Sequence, residues 1–155
     1  MATVDLALQR AIESPGLPEE PDVQKWAEAA LSGRGGHSEL VVRIVNEAES
    51  AALNHTYRHK LGPTNVLSFP FDAPPGVEID LLGDVVICAP VVTREALAQG
   101  KSLQAHWAHM VVHGILHLLG YDHETDNQAV EMESKEATIL ANLGFANPYG
   151  DASES

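Results

Sequence analysis

Three histidines, His113, His117 and His123, stand at relative positions 0, 4 and 10, with Gly120 at position 7. A helix repeats every 3.6 residues, so the first two imidazoles lie one above the other on a single face. Two rings so placed can grip one metal ion. Gly120 can then end the helix and turn the chain, as glycine does at helix C-termini, and the return can bring His123 to the same ion. Three protein nitrogens leave one tetrahedral position open, which is the pattern of a catalytic zinc rather than a structural one. We therefore expect one Zn2+ on His113, His117 and His123, with water as its fourth ligand, and a hydrolytic reaction.

The helix that must carry the first pair runs from Leu103 to about Leu119, with Ser102 as its N-cap. It is apolar nearly all round, through Trp107, Met110, Val111, Val112, Ile115, Leu116 and Leu118, and such a helix is buried. His106 and His109 extend the polar stripe of His113 and His117. One ion cannot use both His109 and His117, because eight residues span about 12 Å along a helix axis and zinc–nitrogen bonds reach only about 2 Å. Of the remaining pairs, only His113 with His117 precedes a turn that can return a third ligand. His109 is left as a candidate substrate contact one turn away, and a structural role suits both it and His106.

Metallopeptidases of the metzincin type use His-Glu-x-x-His-x-x-Gly-x-x-His. The three histidines and the glycine match, but Gly114 stands where that motif has glutamate. The glutamate is the peptidase's general base, so its absence weakens the peptidase reading.

The rest of the chain reads as support. A strand is expected over Val4–Leu8, a helix with apolar face Val23, Trp26, Ala27, Ala30 and Leu31, and a buried strand over Glu39–Asn46. Asn46 should cap a helix reaching Lys60, which Gly62 and Pro63 stop. Val66–Phe69 is a short strand, and Pro70–Gly76 is a proline-rich loop. Leu81–Ala89 is a strand buried on both faces, Pro90–Gln99 a helix ended by Gly100, and Thr125–Asn142 a last helix with Val130, Ile139 and Leu140 among its apolar positions. This mixed order suggests an α+β or α/β sandwich. We expect α+β: a small mixed four-stranded sheet packed with about five helices, the metal site at the C-terminal end of a buried helix. Residues 1–148 should form a single domain, and 149–155 a flexible acidic tail.

A formal charge of −13 argues against a large nonspecific nucleic-acid surface. The imbalance is uneven, with seven acids against one base from Glu124 to Ser155, so a local basic site can persist near the metal. The single cysteine, Cys88, forbids an internal disulfide and sits in an apolar run as a small buried hydrophobe. No apolar run is long enough to span a bilayer, and the N-terminus does not read as a secretory signal, so a cytoplasmic setting is expected.

The stretch His113–His123 resembles the signature of the YbeY family, bacterial endoribonucleases of rRNA maturation. The resemblance extends through Leu53–Lys60, Pro63–Phe71, Leu82–Ile87 and Trp107–His113, and includes Gly16–Glu20. It implies a metal-dependent, single-strand-specific endoribonuclease acting in 16S rRNA 3′-end maturation and ribosome quality control. It also implies an essential arginine at Arg58, whose planar fork of donors suits a phosphate. His59 and Lys60 are neighbouring candidates for substrate binding. The partners implied are 16S precursor rRNA, single-stranded RNA, the small ribosomal subunit, a small-subunit ribosomal protein and the Era GTPase. Two alternatives stand beside it: the metzincin-like peptidase, and a non-catalytic ribosome assembly factor with a structural metal.

Overall fold

The computed structural model describes residues 3–72, 74–76 and 80–149. Its elements in chain order are β1 (Thr3–Arg10), α1 (Glu20–Leu31), β2 (His37–Val45), α2 (Glu47–Arg58), β3 (Val66–Pro70), β4 (Leu81–Cys88), α3 (Ala89–Gln99), α4 (Leu103–Leu118) and α5 (Asp126–Asn142). The strands form one mixed sheet in the order β1-β2-β4-β3. β1, β2 and β4 run parallel, and β3 lies antiparallel along β4. This is the α+β arrangement expected.

Alternation along the two inner strands divides the interior. Leu40, Val42 and Ile44 of β2, with Val85 and Ile87 of β4, face the larger core beneath α1 and α4. Val45, Val86 and Cys88 face the other way, with Leu67, into a smaller cluster that includes Leu53 of α2. β4 is therefore apolar at both parities, as a strand covered on both faces must be. α4 is buried nearly all round because the sheet, α1, α3 and α5 all pack against it. Trp107 is fully enclosed in it, and truncation of such a side chain costs about 3–5 kcal/mol.

Element ends follow local chemistry. α2 stops at Arg58 rather than Lys60, because His59 takes the left-handed conformation (φ 57°) and its N–H caps the helix. On α5 the buried positions are Met132, Glu136, Ile139 and Leu140, one stripe at helical spacing. Val130 lies off that stripe and is exposed, contrary to the apolar face expected for it. The expected loop over Pro70–Gly76 falls outside the described residues at position 73, and residues 150–155 of the expected tail lie outside them too. Tyr149, assigned to that tail, is tied down: its hydroxyl donates to Glu136 at 2.8 Å.

Candidate metal centre and its groove

The end of α4 is shaped by two capping bonds. Gly120 (φ 100°) donates its N–H to the His117 carbonyl, and Tyr121 donates to the Leu116 carbonyl, each at 3.0 Å. This paired pattern with a left-handed glycine reverses the chain sharply. Asp122 then accepts the His123 N–H on its Oδ1 at 2.7 Å, and Thr125 caps α5 two residues later through a reciprocal bond with Gln128. His123 is thus held between two fixed helix ends.

The turn brings the three histidines together. One ring nitrogen from each of His113, His117 and His123 lies within 4.8 Å of the others. Nε2 of His113 and Nε2 of His117 face each other at 3.2 Å. Two nitrogens bound tetrahedrally to one zinc at about 2.05 Å stand about 3.3 Å apart, so the pair fits a shared ion. Burial, and then the neighbouring His113 and His123, push the His117 imidazolium down to about 4. That ring is neutral at neutral pH, as a metal ligand must be. Three imidazoles with one open side suit zinc, although other transition metals accept the same donors.

Glu136 was not found from the sequence. It is fully buried on α5, and its carboxylate collects three groups. Oε1 lies 3.0 Å from Nδ1 of His113, and Oε2 lies 2.5 Å from Nε2 of His109 and 2.8 Å from the Tyr149 hydroxyl. Burial alone would raise its pKa, but the bonds from His109 and His113 hold it at about 2. Tyr149 is pushed well above the ordinary phenol range, by burial first and then by the Glu136 charge. His109, Glu136 and His113 also form a second group of mutually close ligand atoms.

His109 therefore sits behind the ligand set and not in front of it. It is 7% exposed and lines a smaller cavity of about 380 Å³ with Glu95, Lys101 and His106. His106 is held there by Glu95, 2.9 Å from its Nε2.

In front of the metal turn lies a groove of about 930 Å³. One wall is β3 and the end of α2; the other carries His113, His117 and His123. The loop after α2 is laced back onto that helix. Asn54 donates to the Gly62 carbonyl at 2.9 Å, while the Ser50 hydroxyl donates to the Thr64 carbonyl and accepts the Thr64 N–H, both at 3.0 Å. This fixes Arg58 and Lys60 on the rim, beside Tyr57, whose ring packs edge-on to Phe69 at 5.0 Å. Among the described residues Arg10, Arg43 and Arg94 sit in ion pairs with glutamates, whereas Arg58 has no such partner. His59 is exposed and is not among the groove's lining residues.

Gly114 has a packing reason. A Cβ there would fall 2.5 Å from Cγ1 of Val85 and 3.2 Å from Cγ2 of Val66. The Ser68 hydroxyl donates to its carbonyl at 2.8 Å, drawing β3 against the helix. A glutamate has no room at this position, so the peptidase's base is excluded by the helix–sheet contact itself.

Comparison with known proteins agrees with this architecture. Residues 14–144 match the family described as Endoribonuclease YbeY. A relative from Methylococcus capsulatus, named Endoribonuclease YbeY, is 61% identical over 146 residues, covering 94% of this chain and 95% of its own. The solution structure of TM1509 from Thermotoga maritima is similar in fold, with a TM-score of 0.61 at 26% identity, over 97% of this chain and 100% of that one.

Proposed function

The chain belongs to the YbeY endoribonuclease family, and we propose that it is a metal-dependent endoribonuclease of single-stranded RNA with its ion on His113, His117 and His123. The observation that carries this reading is one groove holding both the three clustered imidazoles and the unpaired Arg58. When bound, zinc supplies Lewis acidity toward water or a phosphoryl oxygen.

The remaining roles fall to side chains. Arg58 presents its guanidinium fork to the phosphate oxygens and offsets the charge that develops there. Lys60 adds a point charge on the same rim. Tyr57, exposed beside Arg58, offers a ring for a base to stack on. An unpaired base can be splayed onto such a ring while a base within a duplex cannot, which supports a single-strand preference. Asp122 is spent on the turn and serves the placement of His123.

Within the cell we assign this activity to the cytoplasm and to 16S rRNA 3′-end maturation and ribosome quality control. A chain of net charge −13 gains little from general attraction to RNA. Delivery by the small ribosomal subunit, a small-subunit ribosomal protein or the Era GTPase meets that need. No helix among the described residues is long and apolar enough to cross a membrane.

The test is cleavage of a labelled single-stranded RNA, a duplex and casein by zinc-loaded protein, with and without chelator. Cleavage of the single strand alone is expected, with loss on chelation and in His113→Ala. Arg58→Glu should lose cleavage while keeping its zinc. Full RNA cleavage by the chelated protein or by His113→Ala would refute the site, and no turnover on any substrate would favour the assembly-factor alternative.

A further inference from the structure

Glu136 is a charged group without solvent, on the apolar stripe of α5 between Met132 and Ile139. A buried carboxylate persists only where hydrogen bonds replace its water. Here His113, His109 and Tyr149 supply them, at 3.0, 2.5 and 2.8 Å. A carboxylate only accepts, so the ring nitrogen of His113 that meets it, Nδ1, must carry the proton. In a neutral imidazole the lone pair then sits on Nε2. Nε2 is the atom that faces Nε2 of His117. The proton position of His113 and its direction of ligation are therefore set from behind, by a residue on another helix.

We propose that Glu136 is a positioning residue: by holding the Nδ1–H of His113 it fixes that ring's tautomer and rotation and presents Nε2 to the metal. The inference rests on the reading that His113, His117 and His123 hold the ion. His109 and Tyr149 act one step further out. Both bond Oε2, and they keep Oε1 turned toward His113. Their place is consistent with the wider network, since the His109 and Tyr149 rings pack edge-to-face at 5.4 Å. The segment after α5 thus belongs to the metal centre, because it brings Tyr149 back over Glu136.

The same residues allow a rival arrangement, with a second ion between His109, His113 and Glu136. Hydrogen bonding already pairs Nε2 of His109 and Nδ1 of His113 with the carboxylate and needs no second charge in the core, so one ion per chain is expected.

Two measurements on the full chain test this. The first needs no variant: long-range proton–nitrogen NMR of the metal-free protein reads the tautomer of each imidazole. His113 should be protonated on Nδ1, both before and after zinc is added. The second is competitive titration of zinc against a chromophoric chelator, for the unaltered chain, Glu136→Gln and Tyr149→Phe. Loss of such an outer partner lowers metal affinity about 10- to 100-fold. Glu136→Gln should fall in that range and give a mixed His113 tautomer, while Tyr149→Phe should stay within about threefold of the unaltered chain because the carboxylate remains. An Nε2-protonated His113 in the unaltered chain would overturn the proposal, whether or not Glu136→Gln folds. So would a folded Glu136→Gln with unchanged zinc affinity, or two zinc ions per unaltered chain. Failure of the unaltered chain to bind zinc would instead bring down the metal reading beneath the proposal.

Discussion

Replacing Gly114 by alanine should destabilise this protein, although glycine to alanine inside a helix ordinarily stabilises by about 1 kcal/mol. The added Cβ would lie 2.5 Å from Cγ1 of Val85. Carbon atoms in contact sit at about 3.5–4.0 Å, so the shortfall is about 1–1.5 Å. Val85 cannot swing aside, because it is fully buried on the central strand β4, and Val66 closes the other side at 3.2 Å. α4 must move off the sheet, at the about 1–3 kcal/mol typical of an overpacked core. Subtracting the helix gain leaves a net loss of about 1 kcal/mol, with an upper bound of about 2. In a chain of this size each kcal/mol moves the melting temperature by about 2–4 °C. Thermal unfolding of metal-free Gly114→Ala should therefore show a lower midpoint. Gly33→Ala, in the turn after α1, is an uncrowded control, since nothing lies within 4 Å of its added Cβ, and it should be neutral or slightly stabilising. Because His113 and His117 flank the shifted turn, zinc affinity should fall as well. A Gly114→Ala midpoint raised by 2–4 °C or more, the full helix gain, would refute the close helix–sheet contact and with it the argument that no glutamate fits there.

Arg58→Ala should lower kcat/KM on single-stranded RNA about 10- to 100-fold, the worth of a charge-assisted bond to phosphate, while zinc titration stays unchanged. The salt dependence of RNA binding should flatten by about one ion in the same variant. Tyr57→Ala should raise KM by about 5- to 150-fold if a base stacks on that ring, and Tyr57→Phe should not; equal effects in both would sink the stacking role. His106 gives a pH signature. Burial, opposed by the bond to Glu95, lowers its pKa below 6.5, with Lys101 and His109 also pressing it down. The unfolded chain then takes up the proton first, so this stability is whole above pH 6.5 and is lost as pH falls below it. Denaturant titrations should show His106→Gln losing less stability between about pH 6.5 and 5 than the unaltered chain.

What the sequence revealed and what it hid divide along the range of the interactions involved. The His113–His117–Gly120–His123 spacing is local: helix pitch brings two rings together and one left-handed glycine turns the third, so the geometry could be read from eleven residues. The buried strand β4 was legible because apolar residues of both parities have no other use. Arg58 could be named, but its place on the rim of the groove depends on Ser50 and Asn54 lacing a loop to α2, and neither residue advertises that bond. Glu136 was hidden for a sharper reason. It stands among Glu131, Glu133 and Lys135 in a helix that reads as a solvated acidic face. Only the packing of α5 on α4 buries that one carboxylate and sets it against His113 and His109. Periodicity could have marked it, since Met132, Glu136, Ile139 and Leu140 share a stripe, and a lone acid on an apolar stripe must be either misplaced or paired. Its partners, 23 and 27 residues away, are histidines on the preceding helix, α4. A buried acid on one helix and a surplus of buried imidazoles on another answer each other's cost, and that pairing is the part of the site written across the fold instead of along the chain.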